Sequence, residues 1–124
     1  MKDQIEHYRR KLAYEIDSWD LKIARESGGH VTVIDVRAPA AYAKEHIAGA
    51  INIPHRTMNE ATTASIDKAQ TLVVTYCDGI GCNGSTKGAL KMAELGFRTK
   101  ELIGGLDWWR RDGHPTEKSE KQSS

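Results

Sequence analysis

No apolar run in the 124-residue chain approaches the ~18 residues that a membrane span needs. Charge of one sign is not in excess either. Eighteen basic residues face 17 acidic ones, for a net charge of +1. A nucleic-acid binder usually shows a basic surplus, so no nucleic-acid partner is expected. Cysteine is scarce, with two residues in all, too few for the disulfide framework of a small secreted domain. The N-terminal MKDQIEHYRRK lacks the apolar stretch of a secretory signal, so a cytoplasmic location with no membrane partner is expected. What remains is a soluble chain, 39% hydrophobic and 28% charged, of a length that suits one domain around one core.

Periodicity divides the chain into alternating elements. Ile5, Tyr8 and Leu12 form one stripe of a short N-terminal helix, read here as an extension over 1–12. AYEID (13–17) reads as a short strand. Asp17, with Asp20 three residues on, is a suitable N-cap for a helix that ends at Gly28-Gly29. VTVID (31–35) is a clear strand, Pro39 opens a short helical turn, and AINIP (50–54) is a strand stopped by proline. Residues 55–70 are polar and weakly periodic. LVVTY (72–76) is a buried strand, Ser85 to Leu95 a helix closed by Gly96, TKELI (99–103) a strand and GLDWWRRDG (105–113) a final short helix. The polar tail over 117–124 is expected to be disordered. Alternation of this kind implies an α/β fold, a parallel sheet with helices on both faces.

In such sheets, sites lie beyond the carboxyl ends of the strands. Cys77 stands there, directly after LVVTY, in the loop CDGIGCN that leads into a helix. Loop amides and a helix N-terminus favour a thiolate over the thiol, whose ordinary pKa is about 8.5. Gly79, Gly81 and Gly84 let the backbone curl without Cβ obstruction. Cys77 is therefore a candidate nucleophile, with Asp78, Gly79, Ile80, Gly81, Cys82 and Asn83 as its binding loop. VTVID ends on the same edge, which brings Asp35 and Arg37 within reach as supporting residues. The bland alternative is a buried structural cysteine.

Other chemistries are weighed on the same letters. Gly79 to Gly84 matches the G-x-G-x-x-G dinucleotide pattern, with Glu101 placed where a ribose-binding acid would sit. The pattern comes last in a short chain, so no second nucleotide-binding half is expected after it. A phosphate-cradling P-loop fails, because Lys87 does not directly follow the last loop glycine. A cysteine phosphatase is disfavoured, since positions 78–86 contain no arginine to clamp a phosphoryl group. Zinc would need further ligands beyond the two cysteines, and no metal site is expected.

Several separated pieces together resemble the single-domain rhodaneses, a sulfurtransferase family. They are Asp35-Val36-Arg37, the run from His46 to Pro54 (HIAGAINIP), Tyr76-Cys77, Gly96-Phe97, Gly104-Gly105 with Trp109, and Gly113 with Pro115. Their order matches over about 13–116, the span read as the rhodanese-like domain. The resemblance implies a five-stranded parallel sheet flanked by helices and a two-step reaction. The Cys77 thiolate takes a sulfane sulfur from a small donor (thiosulfate, persulfide or polysulfide) and becomes a persulfide. Cyanide or a thiol then removes it, and a protein persulfide is a further candidate partner. No cofactor is implied.

Many loops of this family carry an arginine five positions after the nucleophile, where this chain has Cys82. A less cationic loop favours persulfide or polysulfide donors over dianionic thiosulfate. Cys82 could resolve the persulfide, protect Cys77 from overoxidation, or pack into the helix start, the simplest of the three. Two other functions stay open: a thiol redox enzyme or sensor using the Cys77/Cys82 pair, and a non-catalytic protein-binding module of the same fold. His46 is read as a hydrogen-bonding turn residue, with proton donation as the alternative. One of Trp108 and Trp109 is expected in the core, and Lys87 in solvent.

Overall fold

A computed structural model describes residues 1–119. Five parallel strands form one sheet: β1 (Glu15–Ile16), β2 (Val31–Asp35), β4 (Ile51–Asn52), β5 (Leu72–Tyr76) and β6 (Arg98–Leu102), in the spatial order β1-β6-β5-β2-β4. The expected α/β class and five-stranded parallel sheet are thus borne out. Helices α2 (Ser18–Glu26), α3 (Pro39–Lys44), α4 (Gly84–Glu94) and α5 (Gly105–Arg111) form the connections. A 3-10 turn over His55–Thr57 is the only helical part of the polar stretch after β4.

Period-two alternation on the central strands sorts side chains into two cores, one on each face. Val33, Val74 and Tyr76 point to one side, where they meet Leu21 of α2 and Leu106 and Trp109 of α5. Ile34, Val36, Val73 and Cys77 point to the other, against Met58, Met92 of α4 and Phe97. The alternation continues one residue past β5, so Cys77 faces the α4 side while its neighbour Tyr76 faces away.

Local signals explain the element ends. The Asp17 carboxylate accepts from the Asp20 amide at 2.8 Å and caps α2 as expected. Gly96 closes the turn after α4 with φ +96°. Several boundaries differ from the sequence reading: the strand expected over 50–54 covers Ile51–Asn52, that over 99–103 covers Arg98–Leu102, and the final helix ends at Arg111. Ala13 and Tyr14 continue the N-terminal helix α1 (Lys2–Tyr14), and the first strand shrinks to Glu15–Ile16, the two residues that pair with β6. None of α1's residues is buried.

The start of the polar tail is also ordered, against expectation. β7 (Thr116–Glu117) pairs antiparallel with β3 (His46–Ile47). The Glu117 carboxylate accepts from the Gly49 amide at 3.0 Å, and the Ser119 amide donates to the Ala43 carbonyl at 2.9 Å. Backbone partners on a neighbouring strand give these polar residues an order their composition does not suggest. The rest of the expected tail, 120–124, lies outside the described residues.

Helix α4 approaches the sheet closely at Gly88, where an added Cβ would meet Val36 Cγ1 at 2.6 Å and Met58 at 3.3 Å. Alanine would gain about 1 kcal/mol of helix propensity. Forcing a methyl against a stiff β-branched core residue costs about 1–3 kcal/mol. Gly88→Ala is therefore expected to be net destabilising, read as a lower urea midpoint at unchanged slope.

Candidate functional site

The site is built on the register between β2 and β5. Asp35 lies directly opposite Tyr76 and their side chains share a face. The Asp35 side chain is fully buried. Its carboxylate accepts from the Tyr76 hydroxyl at 2.7 Å and from Arg37 Nε and Nη2 at 2.9 and 2.6 Å. The Tyr76 hydroxyl in turn accepts from the Ile47 amide at 3.0 Å. Arg37, whose side chain is 8% exposed, also donates to the Glu45 carbonyl at 2.6 Å and to Asp78 Oδ1 at 3.0 Å. Burial opposes its charge, but hydrogen bonds and charge from Asp35, joined by Asp78, raise its pKa overall. One guanidinium thus ties the buried carboxylate to the first loop residue after Cys77. Asp35 and Arg37 thus lie in contact with the loop, and Asp78, otherwise exposed, has its charge answered.

The loop is pinned from below as well. The Leu106 and Asp107 amides at the start of α5 donate to the Cys77 and Asp78 carbonyls at 3.0 and 2.8 Å. That approach needs Gly105, whose φ is +57° and whose Cβ would collide with the Cys77 carbonyl. The Cys82 amide closes the curl on the Gly79 carbonyl at 3.2 Å. Thr75, buried in β5, donates its hydroxyl to the Ser85 carbonyl at 2.9 Å and sets the first turn of α4.

The curl brings Cys77 and Cys82 to a Cα separation of 6.3 Å, and the two sulfurs form a disulfide. This corrects the simplest sequence reading, in which Cys82 packs alone into the helix start. The separation is within the range a disulfide spans. Gly84 supplies the room: a Cβ there would lie 3.0 Å from Cys77 Sγ and 3.4 Å from Cys82 Sγ. Its amide, opening α4, points at Cys82 Sγ at 3.4 Å.

Two clefts flank the loop, of about 770 and 930 Å³. Gly79, Ile80, Gly81 and Cys82 line both, and Asn83 lines the first, which also carries Ser85, Thr86 and Glu101. The second is bounded by Arg37, Lys44, Arg110 and Lys118 together with Glu45, Asp78 and Asp107. Its arginines are engaged by those acids, Arg37 with Asp78 and Arg110 with Glu45. Cys77 is 5% exposed and, unlike Cys82, lines neither cleft.

Several other candidates resolve into supports. Glu101, the ribose-binding position of the dinucleotide reading, accepts instead from the Thr86 and Ser85 hydroxyls at 2.6 and 3.2 Å. His46 is buried, stacked on Tyr42, and bonded to the Tyr42 carbonyl and Glu117, away from the loop. Trp109 is in the core and bonds the Pro115 carbonyl, while Trp108 is half-exposed and Lys87 is exposed. Sequence reasoning missed the Tyr76 hydroxyl and the role of Gly105. The first was visible as a Tyr that ends the strand just before the cysteine. Among the described residues, no group of three or more His, Cys, Asp or Glu is placed to hold a metal ion, and no helix is long and apolar enough to cross a membrane.

A cysteine loop at the carboxyl edge of a parallel sheet, in contact with an aspartate-arginine pair, makes this an α/β domain with a sheet-edge thiol site. The chain belongs to the rhodanese-like domain family, which matches residues 20–112. It is 37% identical over 73 residues to the thiosulfate sulfurtransferase PspE of Escherichia coli, covering 59% of this chain and 68% of that protein. It is 30% identical over 112 residues to the thiosulfate sulfurtransferase GlpE of Coxiella burnetii, covering 90% and 96%. The crystal structure of the BH2092 protein from Bacillus halodurans superposes with a TM-score of 0.89 at 44% identity, covering 95% of this chain and 86% of that one.

The Tyr76 phenol is held well above its ordinary pKa by burial, reinforced by the charge and hydrogen bond of Asp35. The unfolded chain releases this proton near pH ~10, while the folded chain retains it. Stability is therefore expected to fall as pH rises through about 10. The drop in urea midpoint from about pH 9 to about pH 11 should be smaller in Tyr76→Phe than in the parent.

Proposed function

We propose that the protein is a sulfurtransferase that carries sulfane sulfur as a Cys77 persulfide. The single observation behind this is the placement of Cys77: a cysteine at the carboxyl end of β5, in a loop curled at the N-terminus of α4. The reduced Cys77 thiolate attacks the outer sulfur of a donor, and the donor's remaining fragment leaves with the electron pair. A thiol or cyanide acceptor then attacks the outer sulfur of the persulfide and regenerates the thiolate. Helix α4 and the loop amides favour the anionic sulfur in both steps. Asp78 to Asn83 form the binding loop, and Asp35 and Arg37 position it. Membership in a family with named thiosulfate sulfurtransferases supports the reaction type.

The donor we favour is a persulfide or polysulfide. The loop has Cys82 where an arginine would meet a dianion, and the arginines of the second cleft are already engaged by acids. A second reading, thiol redox chemistry of the Cys77/Cys82 pair, is favoured by the disulfide.

Mass spectrometry of the reduced protein after exposure to a donor tests the assignment. Cys82→Ser is expected to gain one sulfur atom on Cys77, and Cys77→Ser none. A missing arginine contact to a dianion is worth about 1.5–3 kcal/mol, or about 10- to 150-fold in rate. Thiosulfate turnover should therefore rise by about that factor in Cys82→Arg, whereas turnover of an alkyl persulfide, which carries at most one charge on its sulfurs, should change less. An unchanged thiosulfate rate in Cys82→Arg would refute the donor assignment, and a Cys82→Ser protein that takes up no sulfur would refute the carrier.

A further inference from the structure

The loop disulfide joins a shielded sulfur to an accessible one. Cys77 is packed into the apolar cluster beneath α4, whereas Cys82 is only partly buried and lines both clefts. Gly84 leaves space for both sulfurs and directs its amide at Cys82 Sγ from the start of an 11-residue helix. That amide and the helix end favour a thiolate at Cys82. The chain therefore has a second nucleophile within bonding reach of the first.

We propose that Cys82 is a resolving thiol, which makes the chain a sulfane-sulfur reductase that releases sulfide. The inference rests on the Cys77 persulfide reading and adds a fate for that persulfide. The Cys82 thiolate attacks the inner sulfur, Cys77 Sγ. The Cys77–Cys82 bond forms, the bond from Cys77 Sγ to the outer sulfur breaks, and the outer sulfur leaves with the electron pair, taking a proton from water to depart as hydrosulfide. The sulfane sulfur is reduced by two electrons, and the two cysteines are oxidised by two.

Inner-sulfur attack follows from the pairing itself: the curl that bonds Cys82 Sγ to Cys77 Sγ is the geometry the attack requires. Because the attacking group is held in place, it has a large effective concentration over any dissolved acceptor. The reset needs a dithiol reductant, either a protein with a paired-cysteine site or a small dithiol. One of its thiolates attacks the accessible Cys82 Sγ and expels the Cys77 thiolate, ready for the next donor. Its second thiol then frees Cys82 and closes the reductant's own disulfide.

The test uses the full chain, reduced, freed of small thiols and kept anaerobic, so that the sulfane sulfur is the sole oxidant. It is mixed with inorganic polysulfide, quenched with a thiol-alkylating agent at intervals and read by intact mass and peptide mapping. The wild-type chain is expected to show the Cys77–Cys82 disulfide with only fleeting persulfide. Cys82→Ser and Cys82→Ala should both hold the added sulfur on Cys77, with a lifetime longer by about tenfold or more. A wild-type persulfide as long-lived as that of the variants, with no disulfide, overturns the resolving role and leaves the carrier reading standing. Absence of added sulfur from Cys77 in all three proteins overturns both.

Discussion

A carboxylate with no exposed surface must be matched by donors, and at Asp35 this requirement organises the whole carboxyl edge of the sheet. Arg37 and the Tyr76 hydroxyl provide the match. Removing one partner of such a buried pair costs about 3–5 kcal/mol, because the other charge is left unanswered. Each donor has further obligations. Tyr76 anchors the Ile47 amide, and with it the chain entering β4. Arg37 reaches the Glu45 carbonyl and Asp78. The position of the loop after Cys77 is thus linked to the core's most demanding polar group.

From that anchor the loop follows from a few local facts. Strand alternation turns Tyr76 toward Asp35 and Cys77 toward α4. The α5 amides hold the first two loop carbonyls, which only a glycine at 105 permits. Gly84 leaves a space that two sulfurs occupy. A loop with arginine at position 82 would place a fixed cation beside the nucleophile. With cysteine there, the same curl holds a second thiol, and the chemistry proposed for the site moves from anion capture toward thiol exchange.

Much of this was legible in the sequence, for identifiable reasons. Strands such as VTVID and LVVTY are apolar runs bounded by turn residues, and both match the structure residue for residue. The Asp17 cap and the Gly96 stop are local signals that tertiary packing left intact. The loop around Cys77 was visible from its glycines. What was not legible depends on contacts between distant residues. The ordering of Thr116 and Glu117 comes from a partner strand 70 residues earlier, at His46–Ile47. The Tyr76 hydroxyl is explained only by its register opposite Asp35. The pairing of Cys82 with Cys77 depends on how tightly the loop curls, which spacing alone leaves open.

The central claim is that Cys77, as placed by this loop, accepts and holds sulfane sulfur. A crystal structure of reduced Cys82→Ser protein soaked with inorganic polysulfide tests it most directly. The account predicts electron density for one additional sulfur on Cys77 Sγ, with the Asp35–Arg37–Asp78 contacts unchanged. An unmodified Cys77 thiol in fully soaked crystals would contradict it.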